Sequence, residues 1–192
     1  VALEEHPEIE RLQSKGHKYD VGSGAFKILK DIVFFEEKPV DTNEYVAFLG
    51  LVNLKRVYYW TKLKYQNPPK SFVEYKVFIP QASGSGALGE VMSSPLVEAP
   101  FVGATETFLS IGGFETQSEA ENCLAYIKTK FVRAMLGVLK ITQANTREKW
   151  KYVPLQDFTA HSDIDWSKSV EEIDQQLYRK YDLTADEIEF IA

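Results

Sequence analysis

The chain has 192 residues, 44% hydrophobic and 26% charged, a balance that excludes a disordered segment and suits one domain or one domain with an appendage. Its apolar runs fall well short of the roughly 20 residues of a membrane helix. One cysteine, Cys123, excludes an internal disulfide and a cysteine-based zinc site and points to a reducing compartment.

Residues 2–15 (ALEEHPEIERLQSK) read as a short helix closed by Gly16, with Pro7 in an early turn. From Tyr19 to Phe114 the texture is β. IVFFE (32–36), EYVAFLG (44–50), KRVYYW (55–60), EYKVFIP (74–80) and ETFLSIGGF (106–114) are β-branched and aromatic runs broken by Gly, Pro, Asn and Asp. QASGSGALGE (81–90) is a Gly/Ser loop. The period then changes. Ala120, Leu124, Ile127, Phe131, Met135 and Val138 step by three or four residues, which predicts one long helix over 116–141, on the order of 35 Å long. Thr116 or Ser118 caps it, with Glu119 and Glu121 at its positive end. On a straight helix Lys130, Arg133 and Lys140 fall opposite the apolar face, beside Tyr126 and Gly137. Residues 150–166 read as irregular or partly β. Ser169 with Glu172, and Thr184 with Glu187, are capping boxes that open helices over 169–181 and 184–191. The expected fold is α+β: a twisted, mainly antiparallel sheet region, one long helix, and two short C-terminal helices.

The net charge of −6 hides a sorting by block. Residues 41–80 carry six Lys/Arg against three Asp/Glu, and residues 121–151 seven against two. Residues 81–120 carry no Lys or Arg and five acids, and residues 152–192 three cations against ten acids. Two blocks are therefore basic enough to steer a polyanion, although blocks of opposite sign also pair with each other as solvated faces.

Several strings resemble catalytic motifs without their context. GSGAF (22–26) and NPPK (67–70) imitate the S-adenosylmethionine turn and the adenine-gripping loop of a methyltransferase. HKYD before the first is no buried strand, Lys70 stands where an aromatic should stack, and about 40 residues are too few for the intervening fold. EYK (74–76) matches the Glu-x-Lys of metal-dependent nucleases, but the nearest upstream acid is Asp41. His161, Asp163 and Asp165 read as a solvated acidic loop before they read as metal ligands. The loop at 81–90 lacks the lysine and helix entry of a nucleotide-binding loop.

The ordered series YKVFIPQASGSGALGE, TETFLSIGGFETQSEAENCLAYIKTKFVRAML, KITQ, YVPLQDF and DIDWSKSVEEIDQQLYRKYDLTADEIEFI, over residues 74–191, resembles the C-terminal part of bacterial type II restriction–modification proteins with an Eco57I-type adenine methyltransferase. The resemblance implies a target recognition domain over 1–160, with a variable β-rich region at 17–114 and the long helix at 116–141, and a helical appendage at 161–192. It implies double-stranded DNA as partner and no catalysis in this piece. A methyltransferase domain of the same chain would use S-adenosylmethionine, with Mg2+ if the parent also cleaves, in the bacterial cytoplasm. A chain that starts at Val1 without Met fits such an excised piece. Phosphate contacts are then expected from Lys128, Lys130, Arg133, Lys140, Lys149 and Lys151, with Lys62, Lys64 and Lys70 as a second basic wall. Thr142, Gln143 and Arg147 would make polar contacts, and Ser83 and Ser85 would let backbone approach the duplex. Phe131, Trp166 and Asp165 are read as structural. Two rivals stand: an interaction module that docks catalytic domains without reading bases, and a catalytic fragment.

Overall fold

The computed structural model describes residues 1–13, 21–81, 94–139 and 146–191. The fold is α+β, with two three-stranded sheets and a helical layer. The expected N-terminal helix is two single turns, α1 (Ala2–Glu5) and α2 (Ile9–Leu12). Pro7 restricts the residue before it, and His6 leaves the helical region at φ −134 and ψ 74. A third short helix, α3 (Ala25–Ile28), follows the Gly22–Gly24 turn.

β1 (Tyr45–Val52) and β2 (Lys55–Lys62) form an antiparallel hairpin. Its two-residue loop, Asn53 and Leu54, has positive φ at both positions (49° and 63°), the pattern of a type I′ turn that matches strand twist. β5 (Val102–Ala104) adds to β1 in parallel, giving the order β2-β1-β5. The second sheet is antiparallel and runs β4-β3-β6, from Leu96–Glu98, Tyr75–Pro80 and Phe108–Phe114. IVFFE makes no strand. A left-handed Asp31 (φ 60°) folds the chain back, and only Phe35 pairs with Trp60 on β2.

Strand alternation builds the layers. Val46 and Phe48 of β1 face Ile9, Phe26, Leu29 and Phe34, with Tyr59 of β2 stacked on Phe26 at 4.5 Å. Leu49, of opposite parity, meets Phe78 of β3 and Phe108 of β6 between the sheets. Val77 and Ile79 leave the far face of β3 and enter the largest cluster, with residues of the helical layer.

The expected long helix is two helices, α4 (Gln117–Lys128) and α5 (Lys130–Leu139). Thr116 caps the start as expected, accepting from Glu119 N. The break lies at Thr129, which is extended (φ −62, ψ 151) and fully buried. Its Oγ1 donates to Tyr126 O at 2.7 Å and accepts from Val132 N at 3.2 Å. Asp174 completes the start of α5, its two carboxylate oxygens accepting from Lys130 N and Phe131 N at 2.9 Å each. One hydroxyl thus ends a helix while a carboxylate caps the next. The break re-phases the buried face: Val132 and Leu136 enter the core, and Val138 is 73% exposed.

α6 (Arg147–Trp150), α7 (Val170–Lys180) and α8 (Ala185–Ile191) complete the chain. Both capping boxes form. Ile164, Ile173, Leu177 and Tyr178, from the part expected as an appendage, lie in one cluster with Val77, Ile127 and Phe131.

Candidate nucleic-acid interface

A cleft of about 860 Å³ opens between the N-terminal turns, the stretch Tyr65–Pro69, β5, β6 and α6. Its polar lining includes Gln66, Asn67, Ser71, Glu106 and Ser110. Among the described residues its cations are Lys76 and Arg147. Lys64 and Lys70 bracket the lining stretch Tyr65–Pro69 in sequence. Each basic block thus gives the cleft wall one cation, Lys76, which is buried, and Arg147, which is exposed.

The expected contact residues fall into different surroundings. Lys70, Lys128 and Arg147 are exposed. Lys62 and Lys64 face Glu5, at 4.0 and 2.5 Å. Lys151 pairs with Glu148 at 2.8 Å, and Lys149 is half-buried on α6. Lys130 and Arg133 do not form a free strip. Both charges act on Asp174, and Lys130 acts also on Glu171, so this part of the basic block lies against acidic α7. The Arg133 Nε is buried without a hydrogen-bond partner. Tyr126, expected on the same exposed strip, is 4% exposed, and its hydroxyl donates to Pro154 O at 2.7 Å. Ser83, Ser85, Lys140, Thr142 and Gln143 lie outside the described residues.

Sequence reading missed a buried polar group beside the cleft. Lys76 is 3% exposed, and its Nζ donates to the carbonyls of Phe72, Ala99 and Val102 at 3.0–3.2 Å. Glu98 lies opposite it in the β3–β4 register and accepts from the Tyr58 hydroxyl of the other sheet. Burial moves both toward the neutral form: Lys76 is pulled down to about 8, and Glu98 is raised. The only sequence signal was a lysine at an inward strand position. Its three carbonyl partners give Lys76 a structural role, which removes the lysine a Glu-x-Lys nuclease needs.

The depressed lysine has a measurable consequence. A folded value below the unfolded one, roughly 10.4, means the unfolded chain binds more protons between the two. Stability contributed by this group therefore rises with pH from about 8 upward. Urea titrations at pH 8 and pH 10 should show the parent gaining at most roughly 2 kcal/mol relative to a Lys76→Met variant. An equal pH response in the two proteins would refute the assignment.

The strings that resemble catalytic motifs keep no catalytic context. Gly22 O accepts from Ala25 N in a tight turn that opens only the four-residue α3, and the only parallel pair among the described strands is β1 with β5. That turn does not fit S-adenosylmethionine. Pro69 leads into a 3-10 turn at Lys70–Val73. Asp163 is held by Lys180 at 2.7 Å, and Asp165 accepts from Ser167. Among the described residues no group of three His, Cys, Asp or Glu is placed to hold a metal. The buried Cys123 thiol is pushed up to about 12, which leaves it unreactive. No helix among the described residues is long and apolar enough to cross a membrane.

Two of the motifs that carry the resemblance, YVPLQDF and DIDWS, form a strap. Gln156 donates to the Tyr181 hydroxyl at 2.7 Å, Trp166 Nε1 donates to Asp157 O at 2.9 Å, and Gln176 bonds the backbone of Asp165 on both sides. YVPLQDF and DIDWS thus lace the chain after α6 to α4 and α7. No protein-family model, no characterised protein and no solved structure matches this chain.

Proposed function

We propose that this chain is a duplex-DNA recognition domain of a bacterial restriction–modification protein, without chemistry of its own. The observation that carries the reading is a cleft with Arg147, Gln66, Asn67 and Ser71 in its wall and exposed Lys70 between the lining residues Pro69 and Ser71 in sequence. The ordered motifs of residues 74–191 support it. Cations at the rim would neutralise phosphates while Gln66, Asn67 and Ser71 offer hydrogen-bonding groups toward the groove. A methyltransferase domain of the same parent chain, using S-adenosylmethionine, would supply the chemistry, with Mg2+ if the parent also cleaves, and the expected compartment is the bacterial cytoplasm.

The test is affinity for a labelled duplex across a salt series. Three or four phosphate contacts predict a slope of log K against log salt of about −3. Lys70→Ala with Arg147→Ala should reduce that slope by about two. Absence of binding at about 50 mM salt would end the reading. A second reading, a docking module for a catalytic domain, is favoured by one observation: Lys62, Lys64, Lys130 and Arg133 already lie near acids of this chain. Unchanged salt dependence in the double variant would favour it.

A further inference from the structure

Lys62, Lys64 and Tyr65 converge on a single carboxylate, Glu5, at the end of the N-terminal turn α1. Glu5 Oε1 accepts from Lys64 Nζ at 2.5 Å, and Oε2 accepts from the Tyr65 hydroxyl at 2.6 Å. Lys62 Nζ stands 4.0 Å from the same Oε2 and donates to the Tyr65 hydroxyl at 3.3 Å. Both ammonium groups lie over the Tyr65 ring, at 5.2 and 5.5 Å. His6 Nε2 touches the Tyr65 hydroxyl at 3.1 Å. Two cations and a phenol thus surround two oxygens that share one negative charge. A phosphodiester offers the same features: one charge over two non-bridging oxygens.

The occupant is also replaceable. α1 has four residues and buries none of them. The Glu5 and Lys64 side chains are 37% and 44% exposed, so solvent and solute reach the pair. The bonds from Lys64 and then Tyr65 hold the Glu5 carboxyl at about 2, so it stays an anion throughout the working range.

We propose that Lys62, Lys64 and Tyr65 form a phosphate site that Glu5 closes from within, so that a backbone phosphate of duplex DNA displaces this carboxylate. The inference rests on the DNA-recognition reading and adds to it that the second basic wall is held shut by the chain's own acid. Displacement sacrifices the Glu5 bonds and brings a second anion near the first, so Glu5 weakens binding.

A Glu5→Gln variant of this chain tests it, with a labelled duplex at about 50 mM salt. The variant should bind about three- to ten-fold more tightly than the parent. Adding Lys64→Ala should remove that gain, and Glu5→Asp, which keeps the charge on a shorter arm, should show a smaller one. Circular dichroism melts verify that each variant folds. Replacing chloride by inorganic phosphate at constant ionic strength assigns the source: a gain that survives needs the duplex, and a gain that disappears shows free phosphate filling the same site. Equal affinity of Glu5→Gln and parent, with measurable binding by both, overturns the closed site and leaves DNA recognition standing. No duplex binding by either protein overturns both.

Discussion

Replacing Asp174 by alanine is expected to lower the unfolding free energy by about 3 kcal/mol, measured as a shift in urea midpoint. The carboxylate is buried and accepts from two backbone donors, Lys130 N and Phe131 N, at 2.9 Å each. Alanine leaves both donors unpaired at the start of α5, each worth about 1–3 kcal/mol when buried. It also removes the counter-charge to Arg133, whose Nε is already without a partner. Relief of the carboxylate's own desolvation offsets part of the loss. Asparagine keeps one acceptor oxygen, so Asp174→Asn should lose about half as much.

The pH dependence has a definite sign. Burial raises Asp174, and the two N–H bonds and the nearby Arg133 and Lys130 only partly oppose it. The folded state then keeps its proton to higher pH than the unfolded chain. Stability from that proton is complete below roughly 3.9 and is lost as pH rises through the folded value. The deficit of Asp174→Asn should therefore be largest near pH ~4 and narrow above it. A deficit that widens instead would mean that the ion is favoured on folding. An alanine variant within about 1 kcal/mol of the parent would show that Asp174 does not cap α5.

The Phe78→Ala variant is expected to lose about 3–4 kcal/mol. Phe78 is 2% exposed, and with Leu49 and Phe108 it makes the buried contact between the two sheets. That cluster is small, with Leu51, Leu96, Val102 and Ala104 as its partly buried neighbours, so few side chains can close over the gap. Phe78 and Phe108 also line the cleft, and the vacated space would join it. A void open to the cleft fills with water, which also weakens the carbonyl bonds of neighbouring Lys76. Urea titration checks the loss. A change below about 1.5 kcal/mol would mean that the sheets do not depend on this contact.

The candidate site was legible only in part. Lys70, Lys128 and Arg147 were marked by type and block, and they are exposed. Glu5 was invisible as a partner, because it meets Lys64 across 59 residues of chain. Lys76 looked like half of a nuclease motif, but its ammonium donates hydrogen bonds to three backbone carbonyls. Lys130 and Arg133 looked free because a helical projection shows only one element, and the acids beside them belong to α7.

By itself the sequence determined the local features: the α+β class, the β-branched and aromatic runs that form β1, β2, β3 and β6, and the helix starts at Thr116, Ser169 and Thr184. These depend on side chains within a few residues of one another, where caps and periodicity act. Tertiary structure decided the rest. Thr129 breaks the apolar period of 116–141 because a distant carboxylate, Asp174, satisfies the donors that the break exposes. IVFFE has strand composition, but the turn at Asp31 leaves it a single paired residue on β2. The cleft exists only in the folded chain, where Tyr65–Pro69 and Arg147, far apart in sequence, line one surface. Long-range charge and hydrogen-bond partners exist only in the folded chain, and they determine which cations are paired within the fold and which stay exposed.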